Sequence, residues 1–221
     1  GATFDCAQQP LVAISPLNAL QASVYKEDQI RASLLRFVVN METRQLLLTF
    51  NEIINVESFK PEQMYIQSQH DLPMSGVSHR LTLESVTIGI DGREVVIVLS
   101  DTDILELGMT HGLATSTNDT FLRMTGAAFE DVIGRNIISL LRTAALKASD
   151  FIEDTTAPEI VESRLDLTAR ELTLMFSEPV NYSSFDVLAL GLQRSANGAI
   201  EQQALDLSGG KPTFAHDGKS V

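Results

Sequence analysis

The feature that most constrains this chain is its similarity to itself. Residues 1–95 laid over residues 127–221 align with a shift of 126 (127 − 1) and without a gap over most of the span. Self-similarity at a fixed period marks a repeat architecture, so it is sought before any single element is read. Leu46, Leu48, Phe50, Glu52 and Phe59 fall on Leu172, Leu174, Phe176, Glu178 and Phe185, while Arg44, Asn55 and Ser58 meet Arg170, Asn181 and Ser184. Upstream, Ala19-Leu20-Gln21-Ala22-Ser23 falls on Ala145-Leu146-Lys147-Ala148-Ser149, and Glu27-Asp28 on Glu153-Asp154. Asp91-Gly92 meets Asp217-Gly218. About 20 of the 95 positions are identical, clustered where strands and turns need them; only residues 70–84 gain from a small slip. One period is about 126 residues, and 221 is 126 plus 95. Residues 1–26 therefore read as the tail of one repeat, 27–153 as a complete repeat, and 154–221 as the opening of the next. Both ends are expected to fall inside a repeat, as in a window cut from a longer tandem array.

Within a repeat the apolar pattern is that of strands. Leu46, Leu48 and Phe50 alternate with polar or outward positions, as do Leu174 and Phe176; a period of two means half-buried β-strands. The alternation is expected to continue through Leu81, Leu83, Val86, Ile88 and Ile90, with a bulge near Ser85, and Met64 and Ile66 form a short strand. Val95-Val96-Ile97-Val98-Leu99 is apolar on both faces and reads as a central strand, entered through an Asp91-Gly92 hairpin turn. Phe121, Met124, Ile137, Ile138 and Leu140 suggest later strands around a Gly134-Arg135-Asn136 turn. One segment differs. Ser100 followed by Asp101 and Asp103 is a capped helix start, which predicts a short helix over about 103–110. The segment 152–158 is the hinge between repeats, and Pro158 lets a strand begin after it. The predicted fold is all-β: an antiparallel sandwich of about seven strands per repeat, of the immunoglobulin kind, with one short inserted helix.

Composition narrows the function. The net charge of −13 provides no basic stripe for nucleic acid. No apolar run approaches the roughly 20 residues that span a bilayer. The single cysteine, Cys6, forbids an intrachain disulfide framework or a cysteine zinc site, and since it aligns with Val132 it is expected to be a buried core thiol. The start of the chain has neither a signal-peptide pattern nor an initiator Met, which reads as a processed product or a piece of something longer.

The segment Asp154-Thr155-Thr156-Ala157-Pro158, followed by Leu172-Thr173-Leu174-Met175-Phe176-Ser177-Glu178-Pro179-Val180, resembles the opening of bacterial-type Ig-like repeats of surface and S-layer-associated proteins. Glu130-Asp131-Val132-Ile133-Gly134-Arg135-Asn136 is similar to the Asp-x-x-Gly-Asn turn that closes them. Similar arrays occur in large extracellular proteins of protists and algae. The first tail, Asp5 to Pro10, lacks the Gly, and its linker at Asp28-Gln29-Ile30-Arg31 lacks Thr-Thr-Ala-Pro. The resemblance implies an extracellular structural or adhesive array, usually without catalysis.

Candidate sites are few. Asn118-Asp119-Thr120 and Asn181-Tyr182-Ser183 are sequons, so Asn118 and Asn181 are candidate N-glycan acceptors on a eukaryotic secretory route, and the Thr115-Ser116-Thr117 cluster could carry O-glycans. Asp101, Asp103, Glu153 and Asp154 are candidate calcium ligands, although calcium needs about six to eight converging oxygens and no Asp-x-Asp-x-Asp-Gly loop exists. Helix capping and a solvated linker are the simpler readings of those acids. Glu52 and Glu178 recur at one repeat position, where turn capping is the plain expectation. His70, His79, His111 and His216 show no metal or triad spacing, so no catalytic or cofactor-binding residue is expected. The reading is a structural component of an extracellular fibre, appendage or cell-surface matrix that self-associates, without nucleic-acid or membrane partners. The alternative is the stalk of an adhesin whose binding part lies elsewhere.

Overall fold

The structure, a computed structural model, describes residues 3–193 and 204–221. Contacts divide the chain into two units, Gly1–Ile30 and Arg31–Val221. In the first, every described residue is exposed. Its ordered features are a turn closed by a Phe4·Pro10 bridge and a 3-10 turn at Pro16–Asn18, whose start the Ser15 hydroxyl caps.

The second unit holds β1 (Leu34–Asn40), β2 (Gln45–Asn55), β3 (Met64–Gln67), β4 (Ser78–Arg80), β5 (Val86–Ile88), β6 (Gly92–Val98), the helix α1 (Asp101–Met109), β7 (Phe121–Met124), β8 (Glu130–Asp131), β9 (Leu146–Lys147), β10 (Asp150–Ile152), β11 (Ile160–Asp166), β12 (Glu171–Phe176), β13 (Gly191–Gln193) and β14 (Ala204–Asp206). One sheet runs β10-β1-β2-β6-β5, with β8 pairing the end of β2; another runs β4-β3-β7-β9. All these pairs are antiparallel except β1 with β10, which is parallel. The chain is thus mostly β with several antiparallel sheets.

Alternation decides which face is covered. Leu46, Leu48 and Phe50 of β2 are at most 1% exposed. They join Phe37, Val39, Val95 and Ile97 of the same sheet, and Met64, Ile66, Leu122 and Met124 of the other, in one core cluster. Phe129 closes it, stacking on Phe59 and meeting Phe50 edge-on. Burial of each such side chain contributes about 1.5–3 kcal/mol. The predicted central strand is β6, which lies between β2 and β5. The predicted helix is α1, starting two residues before 103 because the Ser100 hydroxyl accepts the Asp103 N–H and so fixes Asp101 in the first turn.

Four expectations fail locally, the first being a strand through Ile137, Ile138 and Leu140, where Leu140 makes only an isolated bridge to Met124. Leu81 is buried, but Leu83, Val86, Ile88 and Ile90 are 76%, 50%, 47% and 86% exposed. The reason is polar: Ser85 is buried and its hydroxyl donates to Asp103, which bends residues 82–85 out of a strand. The Asp91-Gly92 pair is not a tight hairpin either. Gly89 takes the positive φ (103°), Asp91 accepts the Val56 N–H, and Gly92 opens β6. Cys6 is exposed rather than a core thiol. It sits in the turn after Asp5, and Val132, its counterpart, is itself 53% exposed in the turn after Asp131.

A constant offset runs through the geometry. Leu34↔Phe50 in β1–β2 becomes Ile160↔Phe176 in β11–β12, both residues displaced by 126 (160 − 34; 176 − 50), and the same bulge follows in each pair. Tyr65↔Arg80 in β3–β4 becomes Gly191↔Asp206 in β13–β14 (191 − 65; 206 − 80). Arg44 and Arg170 both take positive φ, 56° and 60°. Asn55 and Asn181 both cap a 3-10 turn through the side chain. The first unit fits the series: the Phe4·Pro10 bridge matches Glu130·Asn136, and Gln8 takes φ 60° where Gly134 takes 83°. The counterpart of 70–84, residues 196–210, lies partly outside the described residues.

Candidate functional site

Residues 31–153 and 154–221 meet at one cluster of contacts, and the site is built there. The turn between β1 and β2 supplies Glu42 and Arg44. Arg44 holds a left-handed φ that costs a non-glycine residue about 1–2 kcal/mol. Its guanidinium reaches two partners: Asp101 Oδ1, at 2.7 Å, and Glu178 Oε2 from beyond β12, at 3.5 Å. Lys219 Nζ approaches the other Asp101 oxygen at 3.3 Å. Asp101, at the start of α1, is therefore bridged to both halves. Glu42 accepts the Thr155 N–H at 2.8 Å and the hydroxyls of Thr155 and Thr156, which pins the linker. The Thr155 N–H leads in holding the Glu42 carboxyl below its ordinary value.

Half-exposed ion pairs contribute about 0–1 kcal/mol each, so the charges orient this junction more than they hold it. The apolar contact is stronger. Leu105 is 7% exposed yet stands outside the core cluster of 31–153. Gly218 is buried and lies so close that a Cβ there would stand 2.9 Å from a Leu105 methyl. Gly218 also has φ +70°, where glycine is favoured. Here the Asp217-Gly218 turn has the expected positive φ that its counterpart Gly92 lacks.

Burial, followed by repulsion from Asp154, raises the Glu178 carboxyl above its usual value despite the Arg44 guanidinium. Glu178 is therefore a junction residue rather than the expected turn cap.

A second cluster anchors α1 from below. Asp103 is 0% exposed and accepts from His79 Nε2 at 2.7 Å, the Thr82 N–H at 2.9 Å, and the hydroxyls of Thr82, Ser85 and Ser100 at 3.0, 2.6 and 2.9 Å. Burial pushes this carboxyl up, but the His79, Ser85, Thr82 and Ser100 donors outweigh it and leave it below its ordinary value. The histidine–aspartate pair was not legible from spacing. Its serines donate to the carboxylate, whereas activation of a nucleophile would place one on the other imidazole nitrogen.

The candidate calcium ligands are thus divided. The oxygens of Asp101 face Arg44 and Lys219, and those of Asp103 are filled by protein donors. Glu153 is exposed in the linker, and Asp154 lies beside Glu178. Among the described residues, no group of three or more His, Cys, Asp or Glu is placed to hold a metal. Asn118 is exposed, with Oδ1 accepting from Lys147 Nζ at 3.0 Å; Thr120 of its sequon is buried. Asn181 is exposed, with Oδ1 taking the N–H and hydroxyl of Ser183. Asp119 binds the Thr115 and Ser116 amides and hydroxyls, so that loop is internally tied. No helix among the described residues is long and apolar enough to cross a membrane.

Comparison with protein families, with curated proteins and with solved structures finds no match for this chain.

Proposed function

We propose that this chain is a stretch of tandem Ig-like β-sandwich repeats whose work is mechanical: a structural part of an extracellular, glycosylated fibre or cell-surface matrix. Strand pairing and apolar packing would resist extension within each repeat. A docked junction would fix the angle between neighbours, so that an array behaves as a rod rather than as beads on a string.

The observation that carries the reading is the constant offset of 126 in strand register, bulge, turn conformation and capping (160 − 34; 191 − 65), combined with a junction where α1 supports the next segment. The inserted helix acquires a purpose in this reading. Asp103 ties it to 31–153, while Asp101 and Leu105 face 154–221. The exposed Asn118 and Asn181 side chains suit a secreted fibre coated with sugar.

Small-angle scattering of the 221-residue chain tests the mechanical claim. A fixed arrangement of 31–153 and 154–221 is expected, with a scattering profile fitted by one conformation. A profile that requires an ensemble of inter-repeat angles would overturn it.

A further inference from the structure

Strand register lines up three side chains on the outer face of the sheet β4-β3-β7-β9. Arg80 and Arg123 are the partners of Tyr65 on its two sides. Their strand neighbours Met64, Ile66, Leu122 and Met124 are buried in the core, so alternation turns Arg80, Tyr65 and Arg123 away from it. The Arg123 guanidinium lies over the Tyr65 ring, 3.7 Å from the centroid, and that of Arg80 stands at 5.9 Å. Strand pairing does not demand this row. At the same register in β13–β14, Gly191 stands for Tyr65 and Asp206 for Arg80 (191 − 65; 206 − 80, both 126).

A guanidinium carries five N–H donors. Arg123 Nε is buried without an acceptor. The chain has 29 acidic residues to 16 basic ones, so anionic partners are plentiful. Yet among the described residues no carboxylate pairs with Arg80, Arg123 or Arg142. Burial lowers the pKa of Arg123 from its ordinary value; Tyr65 opposes that shift and the charge of Arg142 adds to it. Beside the row lies a pocket of about 180 Å³, whose walls include Tyr65, Arg123, Thr125, Ser139 and Arg142. Arg142 is fixed at that wall, with Nε donating to Leu72 O at 3.0 Å and a second guanidinium nitrogen donating to Pro73 O.

We propose that this pocket binds an oxyanion, a carboxylate or sulfate group, held between Arg123 and Arg142. Guanidinium forks match such groups with paired N–H donors. The anion supplies the acceptors that Arg123 lacks and offsets the repulsion between the two arginines. Tyr65 holds Arg123 by a cation–π contact, and the Leu72 and Pro73 carbonyls hold Arg142, so both forks are set before the ligand arrives. The pocket has room for one oxyanion on a small carrier, and the net charge of −13 repels an extended polyanion. The site lies apart from the junction chemistry. Glu178 and Gly218, which meet 31–153, correspond to Glu52 and Gly92 in β2 and β6 of the other sheet.

The test is heteronuclear NMR of the isotope-labelled 221-residue chain, titrated with sodium sulfate and, separately, with sodium glucuronate, at an ionic strength held constant with chloride. Saturable shifts are expected at the amides of Tyr65, Arg123, Ser139 and Arg142 and at the Arg123 Nε–H. Arg123→Gln and Arg142→Gln are each expected to weaken binding by about tenfold or more. Arg36→Gln, in β1 of the other sheet, is expected to leave it unchanged. Arg142→Gln carries the test alone if Arg123→Gln fails to fold. Equal binding of both probes assigns the site to the oxyanion itself, tighter binding of glucuronate to an acid carried on a sugar, and tighter binding of sulfate to a tetrahedral group. Shifts that rise linearly with either salt, spread over the charged surface or persist in both variants overturn the proposal and leave Arg123 as a brace for Tyr65.

Discussion

Replacing Leu105 with alanine should unlock the junction while leaving the core of 31–153 standing. Leu105 is buried but lies outside that core, with Gly218 against its methyl groups. Truncating a buried leucine costs about 2–5 kcal/mol. The lower end applies at a surface that can part and admit water, because no closed cavity is left behind. A loss of about 2 kcal/mol multiplies the population of open junctions by roughly 30, at tenfold per 1.4 kcal/mol. Leu107, two residues along the same helix, is the control: it is 2% exposed and belongs to the core. Leu107→Ala should lower the main melting transition by about 4–20 °C, at about 2–4 °C per kcal/mol for a unit of this size. Leu105→Ala should instead broaden the pair-distance distribution in small-angle scattering and barely move that transition. If Leu105→Ala lowers the melt as much as Leu107→Ala and leaves the scattering unchanged, Leu105 is an ordinary core residue and the account of the helix is wrong.

Asp103→Ala should cost about 3–5 kcal/mol, since it strips the acceptor from the buried Thr82 N–H and the Ser85 and Ser100 hydroxyls; Asp103→Asn should cost less, because the hydroxyls can rotate to meet an amide, and urea denaturation would rank the two. The Asp103 and Asp131 carboxyls are held below their ordinary 3.8, so both contribute stability that is present above that value and lost as pH falls below it. Glu178 has the opposite sign: its raised carboxyl binds a proton more tightly in the fold, so its contribution falls as pH rises from 4.5 through the raised value. Urea midpoints measured across acid pH should show a steep loss below about 3.8 that Asp103→Asn makes shallower. Expression through a eukaryotic secretory route should add enzymatically removable mass at Asn118 or Asn181, and no mass change in either Asn→Gln variant would refute the sugar coat.

The elements most legible in the sequence were those set by apolar period alone. Leu46, Leu48 and Phe50 announced β2 and its covered face because nothing polar competes with their packing. Ser100 announced α1 because capping is local chemistry. What stayed hidden depends on polar groups far apart in the chain. Asp103, His79 and Ser85 are separated by loops, and only the fold reveals that one carboxylate gathers them. That cluster is also why the alternation from Leu81 to Ile90 misled: a buried serine bond outweighed the apolar period. At the junction, the recurrence of Arg44 at Arg170 and of Glu52 at Glu178 was visible. Their role was not, because it joins a turn of one segment to the strand end of the next.

The most direct measurement is electron cryo-microscopy of the native source material, at a resolution that shows side chains and sugars. A regular fibre is expected, in which neighbouring segments keep a fixed angle, with Leu105 seated on Gly218 and density branching from Asn118 or Asn181. Separate beads at variable angles, with α1 facing solvent, would contradict it.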